Sequence, residues 1–310
     1  MSTSFTHDTA HDIAQAVAAQ HAAMLAGEAV AYAHAVHPTD DAHKVEMAGV
    51  LQGCRMLGFL EHDAQCMAQA WQRQTQRTGH FSLTDWPCTP EDFGIAPSPR
   101  THAFPACPQA LGLYAVLPTA QWVGRMAQAG VPTVQLRFKS DDTHAIRQEV
   151  RAAVRAVEGT SAKLFINDHW HIAIEEGAYG VHLGQEDMEE APIDQLRLAG
   201  LRLGLSTHGY AEMLRADAFS PSYLALGAVF PTTLKRMQTA PQGTARLYAY
   251  AKLMQHSPLV AIGGIDEARF PIVMQSGVGS IAVVRAITEA ADPENAAHTL
   301  QALMQKHQKQ

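Results

Sequence analysis

The chain has 310 residues, 47% of them hydrophobic and 17% charged, with a formal net charge of −7. That composition suits a soluble globular protein and argues against a generalised nucleic-acid or anionic-membrane surface, though not against a local cationic pocket. No run approaches the roughly 18 uninterrupted apolar residues of a membrane helix, and no basic segment followed by an apolar one opens the chain, so a cytoplasmic protein is expected.

The first region, residues 1–105, is acidic and rich in Ala, Gln and His, with few β-branched residues. Propensity and apolar spacing predict helices over 9–36 and 42–77. The repeated prolines of DWPCTPEDFGIAPSPRTHAFPACP predict an irregular linker over 85–108. Nine of the 17 histidines lie in this region. Their spacing fits no ligand pattern and no HExxH is present, so they read as solvated or partly packed helical residues. Cys54, Cys66, Cys88 and Cys107 form no CxxC pair and read as free thiols.

The second region, 106–310, is regular. Apolar runs recur at 111–117, 133–139, 163–168, 180–184, 201–208, 223–230, 258–265 and 280–287, with helical stretches such as 120–129, 143–157, 170–177 and 243–255 between them. Strand–helix alternation implies parallel pairing. Eight units in about 200 residues predict a (β/α)8 TIM barrel, an α/β fold, preceded by a mainly helical N-terminal extension. An open doubly wound sheet is the alternative, but no GxGxxG follows the first strand.

In such barrels chemistry sits at the C-terminal ends of the strands. In TVQLRFK, Gln135, Arg137 and Lys139 share one face. That pattern describes either a surface strand with a wet face or a barrel strand gripping an anion. The later runs favour the barrel. The third ends in Asn167 and Asp168, and the fourth is followed by Gln185, Glu186 and Asp187. The fifth ends in Ser206, Thr207 and His208. The sixth is followed by Thr232, Thr233 and Lys235. The seventh ends with Gly263 and Gly264, and the eighth carries Val284 and Arg285. Arg137, Lys139 and Lys235 supply positive charge, and Asp168 with Asp187 suits a shared Mg2+, which favours a few carboxylates together with substrate phosphate oxygens. The glycines let backbone N–H groups approach a phosphate. Taken singly each feature has a plainer meaning. Asn167 and Asp168 suit a helix cap near His169, Asp187 a helix start, and His182 and His208 packed barrel residues.

At these residues the sequence resembles the thiamine phosphate synthase family, from about Leu111 to Leu303. The resemblance is carried by VQLRFK, FINDHWHIAIEEGAYGVHLGQED, GLSTH, YLALGAVFPTTLK, VAIGGI and GVGSIAVVRAI. It implies a transferase of thiamine biosynthesis that condenses hydroxymethylpyrimidine pyrophosphate with hydroxyethylthiazole phosphate. It also implies that Asp168 and Asp187 bind Mg2+, that Gln135, Arg137, Lys139, Asn167 and Lys235 hold the pyrimidine pyrophosphate, and that Ser206 supports the pyrophosphate. Arg137, Lys139, Ser206 and Lys235 are the expected catalytic groups. Thr232, Gly264, Val284 and Arg285 face the thiazole phosphate, with Thr233 a further substrate-binding residue. The partners are then small molecules, not nucleic acid or membrane, and a homo-oligomer is left open.

Three positions depart from the family pattern: Phe138 where Glu is frequent, Leu234 where a second threonine is common, and Arg285 where serine is typical. Arg285 is able to replace lost hydrogen bonds with a charge-assisted one. Two other functions stay open at this point: a thiazole tautomerase-like barrel using His208 as proton carrier, and a non-catalytic thiamine-phosphate binder in which 1–105 is an interaction module. No family resemblance is recognised in residues 1–105, whose role is left open.

Overall fold

A computed structural model describes residues 9–25, 42–233 and 239–308. Two compact units are formed, one from Met1–Pro97 with Gly209–Leu214 and one from Ser98–His208 with Arg215–Gln310. The break in the chain falls upstream of Pro105.

The first unit contains helices α1 (Ala10–Leu25), α2 (Ala42–Met56) and α3 (Glu61–Thr78). Residues 26–36 of the first predicted helix lie outside the described residues. The second predicted helix is two helices, because Gly58 adopts φ 80°. Its N–H and that of Phe59 close the end of α2 by donating to the Arg55 and Cys54 carbonyls. A Cβ on Gly49 would lie 2.5 Å from Ile13, and one on Gly53 2.8 Å from Val17. Small residues thus let α1 and α2 approach closely. The proline-rich stretch contains a 3-10 turn, Pro90–Phe93, and is pinned to α3. Trp71 donates to the Ser82 carbonyl, Gln74 to the Asp85 carbonyl, and Arg77 grips buried Asp92 through Nε and Nη2. Calling 85–108 a linker therefore understates its first half.

The second unit is a closed barrel of eight parallel strands in sequential order. In chain order the elements are β1 (Gly112–Leu117), α4 (Ala120–Gln128), β2 (Thr133–Leu136), α5 (Thr143–Ala156), β3 (Lys163–Asn167), α6 (Trp170–Glu175) and β4 (Gly180–Leu183). There follow α7 (Asp187–Glu190), α8 (Ile193–Leu198), β5 (Arg202–Thr207), α9 (Tyr210–Asp217), β6 (Tyr223–Leu226), α10 (Gly243–Leu253) and β7 (Leu259–Ile262). The chain closes with α11 (Phe270–Met274), β8 (Ser280–Val283), α12 (Arg285–Thr288) and α13 (Pro293–Gln308). Local sequence sets several starts: Thr119 accepts from the Trp122 N–H to cap α4, and Asp142 accepts from His144 and Ala145 to cap α5.

The barrel interior is filled, not hollow. Tyr114, Val116, Phe165, Tyr223, Ala225, Val260 and Ala282 form one buried cluster. Large rings from β3 and β6 fit because β4 and β5 place glycine beside them. A Cβ on Gly180 would meet Phe165 at 2.6 Å, and one on Gly204 would meet the Tyr223 ring at 2.0 Å. This exchange of large and small side chains between strands fills a barrel at interior packing density. The polar groups above this floor consequently face the C-terminal mouth.

Candidate active site

Every strand is shorter than its apolar run. β2 stops at Leu136, β6 at Leu226, β7 at Ile262 and β8 at Val283. The predicted strand ends 137–139, 227–230 and 284–287 are instead loop or helix, since Val284 (φ −120°, ψ −82°) turns the chain into α12. Arg137, Asp168 and Val284 thus lie one step past a strand end, and Lys139, Asp187, Thr232, Thr233, Gly264 and Arg285 further into the loops, where backbone hydrogen bonding no longer dictates direction.

Gln135 is buried on β2. Half-buried Arg137 extends the ladder one step, its N–H donating to the Leu117 carbonyl at 2.8 Å. Phe138 is half-buried, and its carbonyl meets His169 Nε2 at 3.2 Å. Lys139 Nζ reaches Asp168 Oδ2 at 2.8 Å. Asn167 is buried at the end of β3. Asp168 adopts φ 63°, a left-handed conformation uncommon outside glycine, and its N–H donates to the His182 carbonyl. The residue before α6 is His169, and it makes no side-chain cap. The cap reading of Asn167 and Asp168 therefore fails.

Asp187 opens α7, and its Oδ2 accepts from the Gly184 N–H at 3.0 Å, so a helix-start role is genuine. It also lies beside Asp168. Burial, then the neighbouring Asp168 carboxylate, hold its carboxyl above the usual range, opposed by the Gly184 N–H and Lys139. Two carboxylates from adjacent strand ends, with one lysine, thus form an electrostatically unsatisfied anionic pair.

Ser206, half-buried on β5, has its Oγ 2.8 Å from His182 Nε2. His182 Nδ1 lies 2.7 Å from the Tyr223 hydroxyl, which lies 2.8 Å from the Tyr114 hydroxyl. Gln135 Nε2 donates to Tyr114 at 3.0 Å. Gln185 Nε2 donates to the Ser206 carbonyl at 2.7 Å. Sequence reasoning missed Tyr114 and Tyr223, placed Gln185 at the mouth without a role, and read His182 as packing. The available signal was phase: Tyr114 and Tyr223 alternate in step with the inward residues of their strands.

The loop after β6 is locked against the end of β7. Val229 donates to the Ile262 carbonyl and Phe230 to that of Gly263. Gly263 (φ 106°) and Gly264 (φ 64°) both need glycine, because a Cβ would fall 2.5 Å from Ala228 or 2.6 Å from the Pro231 carbonyl. Arg269 donates to the Gly264 carbonyl at 2.6 Å. Thr232 is half-buried and Thr233 exposed. Val284 is partly buried against the barrel cluster, and Arg285 is half-buried at the start of α12. Leu234 and Lys235 lie outside the described residues.

The profile of one family, thiamine monophosphate synthase, matches residues 113–287. A thiamine-phosphate synthase from Neisseria meningitidis is 54% identical over 200 residues, covering 64% of this chain and 98% of that relative. One from Cronobacter sakazakii is 50% identical over 200 residues, covering 64% and 95%. Among solved structures, a thiamine phosphate pyrophosphorylase from Pyrococcus furiosus is 28% identical with a TM-score of 0.56, covering 64% of this chain and 96% of its own. The profile spans more than half of the chain, and the relatives are matched over nearly their whole length. Through its barrel, the chain belongs to the thiamine monophosphate synthase family of transferases.

Proposed function

We propose that the barrel condenses hydroxymethylpyrimidine pyrophosphate with hydroxyethylthiazole phosphate, releasing pyrophosphate and forming thiamine phosphate. The observation that carries this reading is the Asp168–Asp187 pair with Lys139 beside it. Two carboxyl groups in contact, one of them raised by burial and by its neighbour, favour a multivalent cation between them. Among the described residues no group of three or more His, Cys, Asp or Glu could hold a metal. An all-oxygen pair with room for substrate phosphate fits Mg2+ rather than zinc. Bound there, Mg2+ would neutralise charge on the leaving pyrophosphate.

The protein's part is binding and charge. Arg137 and Lys139, with Lys235 by family resemblance, would hold the pyrophosphate. As the methylene C–O bond breaks, its electron pair leaves with the pyrophosphate, and negative charge accumulates beside these fixed cations. They consequently bind the transition state more strongly than the substrate. Ser206 would donate to the same leaving group. Gln135 and Asn167 would seat the pyrimidine. The thiazole nitrogen then supplies the pair that forms the C–N bond, so no protein nucleophile is needed. Thr232, Thr233, Gly264, Val284 and Arg285 would bind the thiazole phosphate, where the locked glycine loop suits close approach of backbone N–H groups.

A coupled pyrophosphate-release assay tests this. Release that requires both substrates and Mg2+ is expected; release with the pyrimidine pyrophosphate alone, or none with both, contradicts it.

A further inference from the structure

We infer that Tyr114, Tyr223 and His182 are positioning residues: they form a one-way hydrogen-bond relay that starts at the Gln135 amide, crosses the barrel floor and ends at Ser206, fixing its hydroxyl as a donor toward the mouth. The inference rests on the reading that Ser206 meets the leaving pyrophosphate.

The direction follows from counting donors. The Gln135 amide nitrogen can only donate, so Tyr114 oxygen accepts from it. Tyr114 is 1% exposed, and its other hydroxyl partner is Tyr223. Its own proton must therefore go to Tyr223. Tyr223 is 0% exposed, and its hydroxyl faces Tyr114 and His182 Nδ1. Having accepted from Tyr114, it donates to Nδ1. A neutral imidazole accepting at Nδ1 carries its proton on Nε2, and that proton points at Ser206 Oγ. Ser206 oxygen is thereby an acceptor from inside the barrel, and its own proton is released outward. Run the other way, Tyr114 would keep a buried O–H facing an N–H donor, a costly orphan. Burial holds both phenols well above their ordinary range, so each keeps its proton. Chained bonds polarise one another, so the Ser206 donor is stronger than an isolated hydroxyl as charge accumulates on its acceptor.

The arrangement also explains a design feature of the barrel. Five adjacent or facing strands place these groups in one file, and Gly204 leaves the space that Tyr223 occupies. A flipped Gln135 amide would reverse every bond in the file and make Ser206 donate inward.

Two measurements on the full chain decide it. The first is the nitrogen-15 spectrum of substrate-free enzyme at pH 8, with the His182 ring assigned by its disappearance in His182→Asn. A neutral ring protonated on Nε2 is expected; a proton on Nδ1, or on both nitrogens, overturns the relay. The second is a double-variant cycle in kcat. Tyr223→Phe should lower kcat about tenfold while leaving KM for the pyrimidine pyrophosphate within about twofold, the scale of one charge-assisted hydrogen bond. In a Ser206→Ala background the same change should cost nothing further. Equal losses in both backgrounds overturn the relay, because a merely structural tyrosine would act regardless of Ser206. Should Tyr223→Phe not fold, Tyr114→Phe breaks the file one link earlier and is judged the same way. Native enzyme that releases no pyrophosphate contradicts the proposed function, and the spectrum then still decides the relay.

Discussion

Asp187→Asn should make the metal-free protein more stable and the enzyme nearly inactive. Asp187 is held beside Asp168, and both burial and that neighbour disfavour its charge. Two like charges in contact repel by about 4 kcal/mol at an effective dielectric of 20, and by about 1 kcal/mol in water. Asp187 is half-buried, so the repulsion falls between these two limits. Lys139 offsets part of it through Asp168. An asparagine oxygen still accepts from the Gly184 N–H, so that bond survives. The net gain is on the order of 1 kcal/mol, a rise of roughly 2–4 °C in Tm for a unit of this size. Thermal denaturation in EDTA measures it. Adding Mg2+ should raise native Tm by mass action and leave the variant almost unmoved. A variant less stable than native in EDTA, or one that gains as much from Mg2+, would refute the reasoning.

Gly204→Ala should destabilise the barrel by about 2–3 kcal/mol in urea unfolding, since its Cβ would sit 2.0 Å from the Tyr223 ring; an unchanged midpoint contradicts the large-for-small packing. Burial lowers the pKa of His21, with the Leu83 carbonyl and Asp85 opposing, and Trp71 and Trp86 flank the ring. Because the folded value lies below the unfolded one, about 6.5, its contribution is complete above that pH and is lost as pH falls through the folded value. Tryptophan emission should report loosening of the N-terminal unit on acidification, shifted to lower pH in His21→Gln; an identical acid transition removes the idea. Arg285→Ser should raise KM for the thiazole phosphate about tenfold with kcat little changed, as loss of a charge-assisted contact predicts; an unchanged KM rules out a phosphate role for Arg285.

The barrel was legible because each repeat carries the same punctuation, an apolar run followed by a polar or glycine-rich turn. Asp168, Asp187 and Lys139 were legible as types at matching strand ends, although nothing local specified the left-handed turn that brings Asp168 to Lys139. The strand ends were overestimated because apolar residues such as Val229 continue past the last ladder bond to pack the loop against β7. The relay was hidden for a different reason. Tyr114 and Tyr223 sit inside apolar runs, and in one dimension a tyrosine facing a buried file looks like any other core ring. Its hydroxyl gains meaning only when two other strands supply its partners. The split of α2 from α3 turns on Gly58, one residue whose positive φ outweighs a strong helical pattern on both sides.

The most direct test of the central claim is anomalous diffraction from crystals of the full chain grown with Mn2+ and pyrophosphate. One peak within bonding distance of both the Asp168 and Asp187 carboxylates, with pyrophosphate oxygens on its open side and Arg137 and Lys139 against them, is the predicted result. A peak elsewhere, or pyrophosphate bound away from the two acids, would contradict the account.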